Sequence, residues 1–168
     1  MKNLENRKYE LTDETIKFKG ITLHRIKALR NFYDIKTGDL GGFIESESNL
    51  SHDGDCWIYD DAKVYDDAKV YDNAKVYDDA KVFDYAEVYG RAEVYGKSQV
   101  YGSAEVYGVS EVYNDAKIFG HAQVYGEARV YEHSRIFDEA EVYDFARVYG
   151  DAIVYGDAII HGDDSVKR

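Results

Sequence analysis

Few residues in this chain of 168 are equipped for chemistry: five histidines, one cysteine and a large excess of carboxylates. A histidine serves as a general base where it can reach the proton it must remove. His121 and His133 are the two that fit such a role in acyl transfer, while His24, His52 and His161 stand apart from them. Against that role, both occupy bends in the chain, where a solvated corner histidine is the ordinary finding. A zinc site would need three converging imidazoles. His121 and His133 lie twelve residues apart and have no third partner at a matching position, so no metal and no metal ligands are expected. Cys56 cannot form an intrachain disulfide, and it falls at a small-residue position of the pattern described below. It reads as a buried structural thiol in a reducing cytoplasm.

The carboxylates suggest a second kind of chemistry, recognition by charge. The formal net charge is −12, and it is unevenly placed. Residues 1–39 hold nine Lys/Arg against six Asp/Glu, and the remainder holds twelve against twenty-seven. Such a body repels nucleic acid and anionic membranes and favours basic partners. Residues 53–84 alone contain ten Asp against four Lys. The candidate partner-binding carboxylates there are Asp60, Asp61, Asp66 and Asp67, followed by Asp72, Asp78, Asp79 and Asp84. Tyr59, Tyr65, Tyr71 and Tyr77 flank them as apolar anchors. The bland alternative is a soluble, charged surface.

These residues are positioned by one six-residue phrase that repeats eighteen times without a break from Ile58 to Ser165. Its typical form is Val64-Tyr65-Asp66-Asp67-Ala68-Lys69. The first position is Val or Ile throughout, and the fifth is Ala or Ser in all but the last copy. Alternation on an extended segment sends the first and fifth side chains inward and the second and sixth outward. The third position is Gly in nine copies, Asp in seven, Asn114 in one and Glu132 in one. Gly, Asp and Asn tolerate positive φ, so each hexad is one short strand and one bend. Three hexads close a triangular coil, and units of this kind bury their apolar face only by stacking. The fold class is therefore all-β: a single-stranded left-handed parallel β-helix of about six regular coils. At the spacing of adjacent strands it is about 25–30 Å long. The second position is aromatic in all but His161, which predicts a ladder such as Tyr59, Tyr77, Tyr95, Tyr113, Tyr131 and Tyr149. Such a ladder either stabilises the coil by ring stacking or offers a sticky face to a partner or a second copy.

Upstream, residues 1–39 form an N-terminal cap, 40–57 an irregular first coil, and 166–168 a tail. The alternation around Tyr9 and Leu11, the Lys19-Gly20 turn and the apolar run from Ile21 predict a β-hairpin. A helix over residues 22–32 competes, because Leu23, Ile26 and Leu29 are three apart. The opening Met1–Arg7 lacks the apolar stretch of a signal peptide.

The phrases Val-Tyr-Gly-x-Ala and Leu40-Gly41-Gly42-Phe43-Ile44-Glu45 resemble hexapeptide-repeat β-helix proteins, in particular the YdcK-like type found in bacteria and their phages. The resemblance covers about residues 40–168. It implies the fold; for activity it admits acyltransferases, carbonic anhydrases and proteins without catalysis. No insertion interrupts the eighteen hexads to build an acceptor pocket. The expectation is thus a non-catalytic interaction protein of phage type without cofactor, whose acidic surface mimics nucleic acid and blocks a basic host protein such as a defence nuclease. Two alternatives stand beside it: a trimeric acyltransferase using acyl-CoA, and a structural, self-assembling protein.

Overall fold

The computed structural model describes residues 7–168; the signal-peptide reading of Met1–Arg7 falls almost wholly outside them. Strand β1 (Tyr9–Phe18) turns through Lys19 and Gly20 into the antiparallel strand β2 (Ile21–Ala28). The hairpin reading thus holds, and the helix over 22–32 does not form. Strand period puts Leu23 on the apolar side with Phe43 and Tyr65, whereas Ile26 enters the main core. The three-residue spacing of Leu23, Ile26 and Leu29 is overridden because β2 also pairs with β3 (Leu40–Ile44), and this sheet edge satisfies its backbone.

From β3 onward the chain is a parallel β-solenoid. Nineteen short strands, β4 (Trp57–Ile58) through β22 (Ser165–Lys167), stack at a register of eighteen residues into three sheets. The first face carries the hairpin and then Lys63–Val64, Lys81–Val82 and their successors to Ile153–Val154. The second runs from Lys69–Val70 to Ile159–Ile160, and the third from Trp57–Ile58 to Ser165–Lys167. Pairing of Ser165–Lys167 with Arg147–Tyr149 carries the coil into the segment read as a tail.

The core is the stack of first and fifth positions, Val64 with Ala68, Val106 with Ala104 and so on, nearly all without solvent exposure. Where Ser replaces Ala, its hydroxyl is satisfied: the Oγ of Ser98, Ser110 and Ser134 each donates at 2.8 Å to the carbonyl three residues back. All eighteen third positions have positive φ, including Glu132 at 61°, the one residue type that steric preference did not anticipate. Its carboxylate accepts the backbone N–H of Gly150 at 2.6 Å, which fastens this corner to the next coil. Asp72, Asp78 and Asp84 do the same to Gly90, Gly96 and Gly102 at 3.0–3.2 Å. The acidic corners therefore serve the fold.

Candidate functional site

An eighteen-residue register sorts the sixth-position side chains into three columns of different charge. The first face stacks Lys63, Lys81, Gln99, Lys117 and Arg135. The second stacks Lys69, Glu87, Glu105, Gln123 and Glu141. The third is mixed, with Lys75, Glu93, Glu111, Arg129 and Arg147. On the second and third faces the columns are tied down locally. Tyr71, Tyr89 and Tyr125 donate to Glu87, Glu105 and Glu141 at 2.7–2.9 Å, and Lys69 and Arg129 pair with Glu87 and Glu111 at 3.6 and 3.5 Å. Burial, and then these glutamates, push the phenols of Tyr71, Tyr89 and Tyr125 above the ordinary tyrosine value. Lys81, Lys117 and Arg135 have no carboxylate within ion-pair distance among the described residues.

Beside that basic column runs the corner between the third and first faces, whose fourth-position residues are Asp61, Asp79, Lys97, Asp115, His133 and Asp151. Column and corner together enclose an open groove of about 630 Å³, lined by Lys81, Lys97, Lys117, His133 and Arg135 with Asp79, Asp115 and Asp151. His133 Nδ1 lies 3.7 Å from Asp115 Oδ2, one coil below. Both side chains are exposed, and the separation is that of an ion pair formed when the imidazole is protonated. Burial, and next the neighbouring Lys63, lower the pKa of Lys81.

The structure separates the other candidates. His121 stands on the corner between the first and second faces, apart from the groove. His161 ends the second-face aromatic ladder, stacked on Tyr143 at 5.4 Å. His24 sits on the hairpin with Nδ1 3.4 Å from Thr12 O, and His52 stacks on Tyr9 at 4.3 Å. Among the described residues no cluster of three or more His, Cys, Asp or Glu is arranged to hold a metal ion.

The proposed partner-binding residues are distributed around the coil. Asp60, Asp61, Asp78 and Asp79 lie on the corner between third and first faces, Asp66, Asp67 and Asp84 on the next, and Asp72 on the last. Asp60 and Asp66 accept the N–H of Asp78 and Asp84 at 3.3 Å, and Asp61 pairs with Arg25 at 3.3 Å. Tyr65 is 2% exposed under Phe18 and the Lys19 ammonium, while Tyr59 donates to Asp34 at 2.9 Å. Tyr71 and Tyr77 are bound to Glu87 and Glu93. The ladder that begins at Tyr59 exists; from Tyr77 to Tyr149 its rings stack at 4.7–5.1 Å. Sequence reasoning missed Lys81, Lys97, Lys117 and Arg135. Their signal is a period of eighteen, which appears only when three hexads are written to a row.

A pattern-breaking element also exists, outside the hexads. Phe32 and Ile35 close a tight turn by mutual backbone hydrogen bonds at 3.1 and 2.8 Å. Its tip, Tyr33, has φ 45° and lies over the Lys75 ammonium at 4.0 Å. The turn overhangs the third face and walls two small clefts, of about 220 and 380 Å³, against Tyr77, Lys75 and Arg91. An unbroken hexad run therefore does not leave the surface without concave sites.

A family model described as the YdcK β-solenoid repeat matches residues 146–162, in the last coils. The chain is a parallel β-solenoid of hexapeptide repeats that resembles the YdcK type. A protein of Escherichia coli (strain K12) named "Uncharacterized acetyltransferase YdcK" is 39% identical over 62 residues. The match covers 32% of this chain and 19% of that protein, so the chain spans only about a fifth of the relative's length. This match corrects the expectation that the β-helix is not an enzyme, since the relative it finds is named for acetyl transfer. That expectation weighed the corner positions of His121 and His133 and the absence of insertions between Ile58 and Ser165, and took no account of an open groove built from the columns themselves. Among the described residues no helix is long and apolar enough to cross a membrane.

Proposed function

We propose that this β-helix transfers an acyl group from acyl-CoA, with His133 as the general base. The observation that carries the reading is the His133–Asp115 pair inside a groove flanked by Lys81, Lys97, Lys117 and Arg135. Acyl transfer needs a base to take the proton of an acceptor amine or hydroxyl as it attacks the thioester carbonyl. His133 then returns that proton to the departing CoA thiolate, and Asp115 stabilises the imidazolium in between. The basic column complements the phosphates of CoA, which bind well to Arg and Lys. In a trimer, a head-to-tail contact would set the basic first face of one copy, with the ligand in its groove, beside the acidic second face of the next, and such a contact closes into a ring where its rotation closes.

A ligand that binds only the folded chain must raise its melting temperature. Acetyl-CoA at millimolar concentration is expected to do so, the rise shrinking in Lys117→Glu, and His133→Ala is expected to abolish turnover while keeping the thermal shift. No shift in the unaltered chain would overturn the reading.

A second reading rests on the corner aspartates of the first coils and the net charge of −12. Here the β-helix binds a basic, nucleic-acid-binding host protein in the cytoplasm, as a phage-type inhibitor would, by presenting carboxylates in place of phosphates. A reduced, buried Cys56 suits that compartment. Partners pulled from bacterial lysate should detach as salt rises and be lost on charge reversal at Asp61, Asp67 and Asp79; binding insensitive to both would sink this idea.

A further inference from the structure

Lys8 is fully buried, which is rare for its type. Its Nζ donates to Cys56 O at 2.8 Å and reaches Gly54 O and Asp53 O at 3.4 and 3.5 Å. The same nitrogen is 3.1 Å from Cys56 Sγ and 5.3 Å from the centre of the Phe32 ring. Cys56 is equally buried, and it is the chain's single thiol. The two residues belong to different units: Lys8 immediately precedes β1 of the cap, and Cys56 lies in the first, irregular coil. The Lys8 ammonium thus caps carbonyls of the first coil, and the same contact holds the amine against the thiol.

We propose that this contact is a modification site, at which hydrogen peroxide joins Lys8 Nζ to Cys56 Sγ through a covalent S–N bond and locks the cap to the first coil. The chemistry takes two steps. The Cys56 sulfur attacks one peroxide oxygen, the O–O bond breaks, and sulfenic acid and water form; sulfur loses two electrons and peroxide gains them. The Lys8 amine lone pair then attacks sulfur. The S–N bond forms, the S–O bond breaks, and hydroxide leaves with an amine proton as water. An external dithiol reverses the bridge, regenerating thiol and amine as it becomes a disulfide.

The Lys8 nitrogen at 3.1 Å places the nucleophile of the second step against the sulfur and offsets part of the burial that raises the Cys56 pKa. Conversion to sulfenic acid leaves the sulfur neutral, and burial then favours the neutral amine, which is the nucleophile. Burial is already the largest influence on both groups, lowering the Lys8 pKa and raising that of Cys56. The segment Ser51–Asp55 covers the pair from one side; Sγ is 3.6 Å from Ser51 O and 3.7 Å from Asp53 O, and Asp53 and Gly54 at its crest are exposed.

The test is peptide mass spectrometry on the full chain after peroxide treatment under native conditions. Expected is a tryptic species joining the Lys8 and Cys56 segments, lighter by two hydrogens than their sum, uncleaved after Lys8 and released by dithiothreitol. Lys8→Arg and Cys56→Ser should each abolish it, and the oxidised chain should melt higher than the reduced one. Cys56 recovered after saturating peroxide as free thiol, or as uncrosslinked sulfinic acid, would overturn the proposal on the unaltered protein, whatever the variants do to folding.

Discussion

Replacing Gly108 and Gly156 separately by Ala isolates what glycine does at the corners. Both have positive φ, 74° and 64°. At Gly156 an added Cβ meets nothing within 4 Å; at Gly108 it would lie 2.8 Å from the N and 2.9 Å from the O of Gly126 in the next coil. Left-handed φ costs Ala about 1–2 kcal/mol, offset by about 0.4–1 kcal/mol from the stiffer unfolded chain. Gly156→Ala should therefore destabilise by about 1 kcal/mol. Gly108→Ala adds an overpacking penalty of about 1–3 kcal/mol, because the clashing atoms are backbone on both sides. Gly108→Asp should recover part of the loss. Aspartates at equivalent corners sit at φ 50–60°, and Asp72 uses its carboxylate to hold the N–H of Gly90. Urea titrations followed by far-ultraviolet circular dichroism give the three values. Equal losses at Gly108 and Gly156, within about 0.5 kcal/mol, would refute close approach of coils as the reason for glycine.

Two further outcomes follow from the same coordinates. Burial, reinforced by glutamate hydrogen bonds, holds the phenols of Tyr71, Tyr89 and Tyr125 protonated in the fold. Unfolded tyrosines release their protons near about pH 10, so above that pH the folded state binds more protons and stability falls as pH rises. The triple change to Phe should flatten that alkaline slope in pH-dependent denaturation, and an unchanged slope would count against it. Leu23→Ala empties a fully buried site under Phe43 and Tyr65 and should cost the cap about 2–5 kcal/mol. Because coils contact only their neighbours, hydrogen exchange should quicken in β1 and β2 while the amides near Val106 keep their protection.

The hexad made the coil legible because inward, outward and corner roles repeat at fixed places, and each role admits few residue types. Val64, Ala68 and Asp66 announce core, core and corner. The site was less legible because charge was counted along the chain. The excess in residues 53–84 is spread over three corners, and much of it, from Asp60 to Asp84, is taken up by backbone N–H groups of the next coil. Lys81, Lys117 and Arg135 never adjoin in sequence, yet they stand on one face. Nothing local could reveal the burial of Lys8 against Cys56, since that contact joins residues 48 apart through the docking of the cap. The Tyr33 turn escaped for a similar reason: its position depends on Phe32 packing against Trp57 at 5.3 Å.

Like charges opposed across neighbouring strands are destabilising, and opposite charges gain roughly 0.2–1 kcal/mol. Every face breaks that rule somewhere: Lys63 opposes Lys81 and Lys117 opposes Arg135 on the first, Glu87 opposes Glu105 on the second, and Arg129 opposes Arg147 on the third. The second and third faces offset this with the pairs Lys69–Glu87 and Arg129–Glu111, whereas Lys81, Lys117 and Arg135 have no such pair among the described residues. A column of cations left without that offset marks a surface kept for something other than stability. Lys117→Glu removes one repulsion and supplies one attraction to Arg135, so it should stabilise the fold by about 0.5–1 kcal/mol. The same change should weaken the thermal shift given by acetyl-CoA, because the groove loses one cation and gains an anion. Urea midpoint and ligand-induced shift, measured on one preparation, separate the alternatives. A variant that is more stable and binds less supports a column held for a polyanionic ligand. A variant that loses stability, or gains it with binding intact, would show that the basic column belongs to the fold and that the groove is not where the ligand sits.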